Sequence, residues 1–167
     1  MPIAQMLLPE FDLEMANTRR VLEVVPGADA AWKPHPKSTA LGDLAAHVAL
    51  IPMWGRYTLE VTELDLAAPE NTAAARTGFT TVPALLEEFD QRVRDTRSAL
   101  ARSSDADLGV TWTLKAGERT VFSMPRAAVL RSFVLSHMIH HRGQLTVYLR
   151  LRDVPLPAIY GPSADSR

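Results

Sequence analysis

The sequence contains no cysteine. That excludes a disulfide framework, a thiolate zinc site and a cysteine nucleophile, and leaves His, Asp and Glu to hold any transition metal. No window approaches the roughly 18 apolar residues of a membrane-spanning helix. The opening stretch, MPIAQMLLPEFDLEM, lacks a basic leading region, and Pro9 and Glu10 break its apolar run. It does not read as a signal peptide, so a cytoplasmic protein with no membrane partner is expected. Neither sign of charge dominates: 18 Lys and Arg against 19 Asp and Glu leave a net −1. Arg19 and Arg20, and Arg92, Arg94 and Arg97, form small basic groups, but acidic neighbours offset them. A nucleic-acid binder needs a basic face, so no nucleic-acid partner is expected.

What is present is a globular mixture over 167 residues, 47% hydrophobic and 22% charged. That length suits one domain covering residues 1–167. Apolar residues recur at helical spacing in four segments. The first covers residues 3–25, with Leu7, Phe11, Met15, Thr18, Leu22 and Val25 on one face and a stop at Pro26-Gly27. Pro9 marks either its start or a bend. The second covers residues 40–62, with Leu44, His47, Val48, Ile51 and Trp54; Pro52 should kink it. The third covers residues 81–103, capped by Thr81 with Pro83 in the first turn. Leu85, Leu86, Phe89, Val93 and Leu100 form its buried face, and Glu87, Glu88, Arg92 and Arg94 face water. The fourth covers residues 124–150, through Val129, Leu130, Phe133, Val134, His137, His141, Leu145 and Tyr148.

The connections differ in kind. Residues 26–39 and 65–80 are long loops. Between the third and fourth helices, Trp112-Thr113-Leu114 and Thr120-Val121-Phe122 flank Ala116-Gly117, the pattern of a short β-hairpin turning at glycine. Residues 151–167 form an irregular tail with three prolines and no periodicity. Four amphipathic helices of about 20 residues suffice for an all-α four-helix bundle with one core. Two long connections favour a crossover order over simple up-down-up-down.

The five histidines are His35, His47, His137, His140 and His141. His137 and His141 stand one turn apart on one face of the fourth helix, among apolar residues. His47 lies on an apolar stripe of the second. Burying an imidazole without a partner costs about 1–3 kcal/mol, whereas three imidazoles meeting around a cation turn that cost into binding. His140 is offset from His141 by about 100° and should point elsewhere, toward a neighbouring helix, the rim of the site or solvent. It is a candidate only for supporting a ligand or lining the pocket. On residue chemistry alone, a metal site on His47, His137 and His141 and a set of core histidines are equally good readings.

The run His137-Met138-Ile139-His140-His141-Arg142-Gly143-Gln144-Leu145 resembles the HxxxHRGQ signature of the DinB/YfiT-like superfamily. Leu41-Gly42-Asp43-Leu44-Ala45-Ala46-His47 is similar to that family's second-helix ligand segment, and Trp32-Lys33-Pro34-His35-Pro36-Lys37-Ser38 to its loop after the first helix. Ile159-Tyr160-Gly161-Pro162-Ser163-Ala164-Asp165 is similar to a C-terminal motif of one branch. The resemblance spans about residues 10–165. It implies a four-helix bundle of DinB/YfiT type, often homodimeric, with a divalent metal on His47, His137 and His141. Some relatives are thiol-dependent transferases or isomerases using low-molecular-weight thiols. The damage-inducible name of others does not establish DNA repair.

Three neutral ligands leave a bound ion its full charge and an open position, which suits catalysis more than structure. Zinc is the first expectation; imidazoles also suit nickel, iron and copper. Met138 stands where the HExxH pattern has its general-base glutamate, so metalloprotease action is not expected. Asp43 and Gln144 are candidate partners for a ligand's second ring nitrogen, Asp43 having the more ordinary role of a first-turn carboxylate. Trp54 returns to the His47 face, more as core than as a substrate platform. His35 and Lys37 lie in the proline loop, either at the mouth of a pocket or in solvent. Gly143 is expected to permit close helix approach beside the metal. The resulting expectation is a metal-dependent hydrolase or thiol transferase acting on a small molecule. The alternative is a non-catalytic, metal-binding, dimeric stress-response protein.

Overall fold

The computed structural model describes residues 1–69, 71 and 78–165; Glu70 and residues 72–77 of the expected second loop lie outside the described residues, as do the last two of the tail. Helix α1 spans Ile3–Glu23 and runs through Pro9. A 3-10 turn at Gly27–Asp29 opens the first loop. Helix α2, Leu41–Glu60, follows a cap residue, Ala40, that has no capping side chain. The loop's own backbone does that work: Leu41 N donates to Trp32 O and Gly42 N to Ala30 O, both at 2.9 Å. Helix α3 spans Val82–Arg102; Thr81 Oγ1 accepts from Ala84 N at 3.3 Å, and proline sits in the first turn. A short helix α4, Asp105–Gly109, begins with a Ser104–Asp107 capping box.

The expected hairpin is formed by β2, Thr111–Ala116, and β3, Arg119–Pro125, with Gly117 at φ +63° in the turn. A third strand, β1 at Glu63–Asp65, pairs parallel to β2 and gives the sheet order β1-β2-β3. Three residues are too few to show strand alternation, and sequence reading missed it. The last bundle helix is a continuous rod of three pieces: α5 at Arg126–Val129, a π-helical turn at Leu130–Leu135, and α6 at Ser136–Leu151.

Pairwise contacts fix the topology. Arg19 bonds Asp90 at 2.9 Å and Arg97 bonds Asp12 at 2.8 Å, so α1 and α3 are antiparallel. Thr96 Oγ1 donates to Pro52 O at 2.6 Å and Arg92 Nη1 to Ala49 O at 3.2 Å, so α2 and α3 are parallel. Glu10 pairs with Arg131 and Glu14 with Arg142, making α1 parallel to the last helix. Trp54 meets Phe133 while His47 meets His137, making α2 antiparallel to it. The bundle therefore runs up-down-down-up. α1 packs mainly on α3 and α6, and α2 on α3 and the last helix, so α1 and α2 lie on a diagonal. This is the crossover arrangement expected from the long connections.

Three local expectations need correction. Arg92 does not simply face water: only 16% of its side chain is exposed, because it reaches the Ala49 carbonyl on α2. Gly143 permits no close approach: it is exposed, and a Cβ there would meet nothing within 4 Å. The close approach is at Gly55, where a Cβ would come within 2.5 Å of Thr96 Cγ2 on α3. The stripe of the fourth helix also shifts. Its buried residues are Arg126, Val129, Leu130, Val134, Leu135, Met138, Arg142, Leu145 and Leu149, and the two histidines are only half-buried.

The π-helical turn explains the shift. Ser136 N donates to Arg131 O, five residues back instead of four. One extra residue in the turn moves the core from the 137/141 positions to 135/138/142. His137 and His141 are rotated to its edge, facing α2.

Candidate metal centre

His47 sits in the second turn of α2, and His137 and His141 in the first two turns of α6. The antiparallel packing of these helices brings the rings together. His47 Nε2 lies 3.2 Å from His137 Nε2. The ring centroids are 5.1 Å apart for His47 and His137, 4.5 Å for His47 and His141, and 4.6 Å for His137 and His141. One ligand atom from each residue falls within 4.8 Å of the others, and among the described residues this is the arrangement of His, Asp and Glu that could hold a metal ion. A tetrahedral ion with bonds of about 2.0–2.1 Å separates its nitrogen ligands by about 3.3 Å. The His47–His137 spacing is of that size.

The electrostatics favour neutral rings. Burial, and then repulsion from His141 and His47, lower the His137 pKa from 6.5 to about 4; the Phe133 backbone carbonyl pulls weakly the other way. Burial, followed by His141, also lowers His47. Burial lowers His141, offset by its bond to Gln144. His137 Nδ1 is buried without a hydrogen bond of good geometry. Neutral imidazoles keep a lone pair free, the state a metal requires. His141 Nδ1 meets Gln144 Oε1 at 2.7 Å. Gln144 Oε1 can only accept, so Nδ1 carries the proton and Nε2 presents its lone pair to the cluster. The three residues therefore fit a divalent ion in donor type, charge state and spacing.

Beside the cluster lies a cavity of about 520 Å³ lined by Lys37, Ser38, Thr39, Leu44, His47, His141, Gln144 and Tyr148. Lys37 thus reaches the mouth. His35 does not: its Nδ1 accepts from Lys37 N at 3.1 Å and holds the loop turn. Asp43 is exposed in the first turn of α2, outside the cavity and away from the ligands. Trp54 is core; its ring meets Phe133 at 5.5 Å, and Phe133 in turn meets His137 at 5.5 Å. His140 is exposed, with its ring 4.8 Å from that of His141.

Sequence reasoning missed the support behind the histidines. Arg142, 3% exposed, pairs with Glu14 at 2.6 Å and donates to Glu14 O and Thr18 Oγ1 on α1. Its Nη2 also donates to Tyr160 Oη at 2.6 Å, while the Tyr160 hydroxyl donates to the Glu14 carboxylate at 2.8 Å. The tail is fastened again where Arg150 pairs with Asp165. The only signal was Arg142 next to a ligand, with a charged residue interrupting the α1 stripe at Glu14.

The model of the DinB superfamily matches residues 10–145. The chain belongs to the DinB superfamily. Solved structures share its fold. A DinB-like protein from Bacillus cereus aligns with TM-score 0.68 at 22% identity, covering 92% of this chain and 95% of that one. The DinB-like protein YjoA from Bacillus subtilis aligns with TM-score 0.66 at 18% identity, covering 95% and 99%. A DinB-family member from Exiguobacterium sibiricum gives the same TM-score and identity over 98% and 97%. Among curated proteins, Bacillus subtilis YrdA is 43% identical over 42 residues, and the match spans 25% of each chain. Among the described residues, no helix of this DinB-family chain is long and apolar enough to cross a membrane.

Proposed function

We propose that this DinB-family protein is a metal-dependent enzyme that holds one divalent ion on His47, His137 and His141 and works on a small molecule in the adjoining cavity. The observation that carries this reading is the convergence of three neutral imidazoles from two helices at the edge of an open, polar cavity. An ion on three neutral ligands supplies Lewis acidity at an open position, toward an oxygen, a water or a thiolate.

Within that site the chain's own groups have definite tasks. Gln144 fixes the tautomer and tilt of His141. The half-buried Phe133 ring and the buried Trp54 ring behind it pack against His137 and shield its inner side from water. Tyr148 and the hydroxyls of Ser38 and Thr39 offer donors to a bound molecule.

Between the two reaction classes, thiol-dependent transfer has the better support. Hydrolysis at a three-ligand ion commonly enlists a carboxylate base, yet among the described residues no Asp or Glu lines the cavity, and Met138 is fully buried in the core. Transfer from a metal-activated thiolate needs no such base, and the missing cysteine means the thiol arrives as a cosubstrate.

Two measurements test this reading. Elemental analysis should find one divalent ion per chain. The cobalt-loaded protein should gain a sulfur-to-cobalt charge-transfer absorption when a low-molecular-weight thiol is added, and a turnover screen should show activity that depends on that thiol. Full metal loading with neither response would favour a non-catalytic metal-binding protein.

A further inference from the structure

Lys37 lines the cavity, exposed and without an ion-pair partner among the described residues. Its backbone is held firmly. Pro34 and Pro36 restrict the chain on either side of His35. Ser38 N donates to His35 O at 2.9 Å, and Lys37 N donates to His35 Nδ1 at 3.1 Å. Ser38 and Thr39 follow directly and also line the cavity.

The rest of the lining is Leu44 with His47 and His141 of the cluster, and Gln144 and Tyr148. Among the described residues no carboxylate lines the cavity, so none of those lining it neutralises Lys37 or a cation bound on the histidines. A space of about 520 Å³ lies within the usual range for a small-molecule site, roughly 300–1,000 Å³.

We propose that the cavity selects a small organic anion whose carboxylate is held by Lys37 and the Ser38 and Thr39 hydroxyls, while its reacting end faces the histidine cluster. One compact ammonium with neighbouring hydroxyls matches the single charge of one carboxylate group; a phosphate dianion would set both its charges on this wall, whereas a dicarboxylate carries its second charge at the far end. The placement rests on the metal reading for its far end only. The carboxylate wall is built from Lys37, Ser38 and Thr39 and exists whether or not an ion is bound.

The test uses the full-length protein, zinc-loaded and metal-free, with nuclear magnetic resonance shifts followed during titration. Succinate is the probe; succinamide, its neutral diamide, and inorganic phosphate are the comparators. The zinc-loaded protein should bind succinate about fivefold or more tightly than succinamide, and more tightly than phosphate. Lys37→Gln should reduce that preference severalfold while zinc per chain, by elemental analysis, stays unchanged. Lys37→Arg should keep much of it. Raising the salt concentration should shrink the preference, as expected for a partly exposed charge.

Equal binding of succinate and succinamide by the wild type, or an undiminished preference in Lys37→Gln, would overturn the carboxylate wall. Stronger binding of phosphate would overturn the choice of carboxylate. Failure to take up zinc counts against the metal reading instead. In that case a succinate preference in the metal-free protein that Lys37→Gln removes still supports the wall, and its absence overturns it.

Discussion

On one face of the last helix, His137 and His141 lie half-buried beside α2 and a cavity; on the next, one residue around, Arg142 is buried against α1. Both faces place polar groups in a largely apolar bundle, yet they resolve the cost in opposite ways. The imidazoles give up their charge, because burial and mutual repulsion push their pKa values down. A guanidinium cannot do so, and Arg142 keeps its charge by taking Glu14 as partner and turning its other Nη donors to the Glu14 carbonyl, Thr18 and Tyr160. The first solution leaves lone pairs available for a ligand. The second leaves nothing available and fastens α6 to α1 and the tail.

The largest effect should come from deleting a ligand on the first face. His47→Ala or His137→Ala is expected to abolish stoichiometric metal binding, while His140→Ala, whose ring is exposed outside the cluster, largely spares it. Elemental analysis of the three purified variants decides; retention of metal by the first two would reject the ligand set.

The second face should show its weight in stability. Arg142→Met leaves the Glu14 carboxylate buried without its cation, which costs about 3–5 kcal/mol. Urea unfolding should show that loss. Adding Glu14→Leu should recover much of it, since the penalty lies in the unpaired charge more than in the missing pair. Equal losses in the single and double variants would mean that Arg142 matters mainly through Thr18 and the tail.

Acid sharpens the same comparison. In the unfolded chain the imidazoles take up protons near their ordinary value of 6.5, but folded His137 does so only near 4. Between those values the unfolded state binds more protons, so the metal-free protein should lose stability as the pH falls from about 6.5 toward 4. The loss is modest because the ring is only half-buried. A divalent ion competes with the same protons, so metal should dissociate across this interval. Thermal melts with and without zinc at successive pH values measure both; a metal-free melt that is flat from 7 to 4 would contradict the neutral-ring assignment.

Much of this arrangement was legible in the sequence, and each exception has a physical cause. The four helices, the Thr81 cap, the hairpin at Gly117 and the three histidines all rest on local spacing or turn chemistry, which a sequence displays directly. The Arg142–Glu14–Tyr160 network joins residues up to 146 positions apart, and local pattern shows only two charges on apolar stripes, not that they meet. The two-faced helix failed differently. A period of 3.6 drawn through Leu130, Val134, His137 and His141 makes them one buried stripe, but the π-helical turn inserts a residue and transfers burial to Leu135, Met138 and Arg142. That single residue separates the cavity face from the core face. Gly143 was misassigned for a plainer reason: two residues after His141 it lies about 200° around the helix from that ligand, and it faces outward.

Gly143 therefore offers the smallest and cleanest test. It lies within α6 without a positive φ, and a Cβ would meet no atom within 4 Å. Glycine inside a helix costs about 0.5–1 kcal/mol relative to alanine, so Gly143→Ala should stabilise the protein by about that amount and leave metal stoichiometry unchanged. A raised melting temperature would confirm that the face between the ligands and the Arg142 network is open. A lowered one would show the opposite: something occupies the space over position 143 in solution. If the lowered melting temperature also varied with protein concentration, the occupant would be a second copy of the chain, because only association makes stability depend on the amount of protein present.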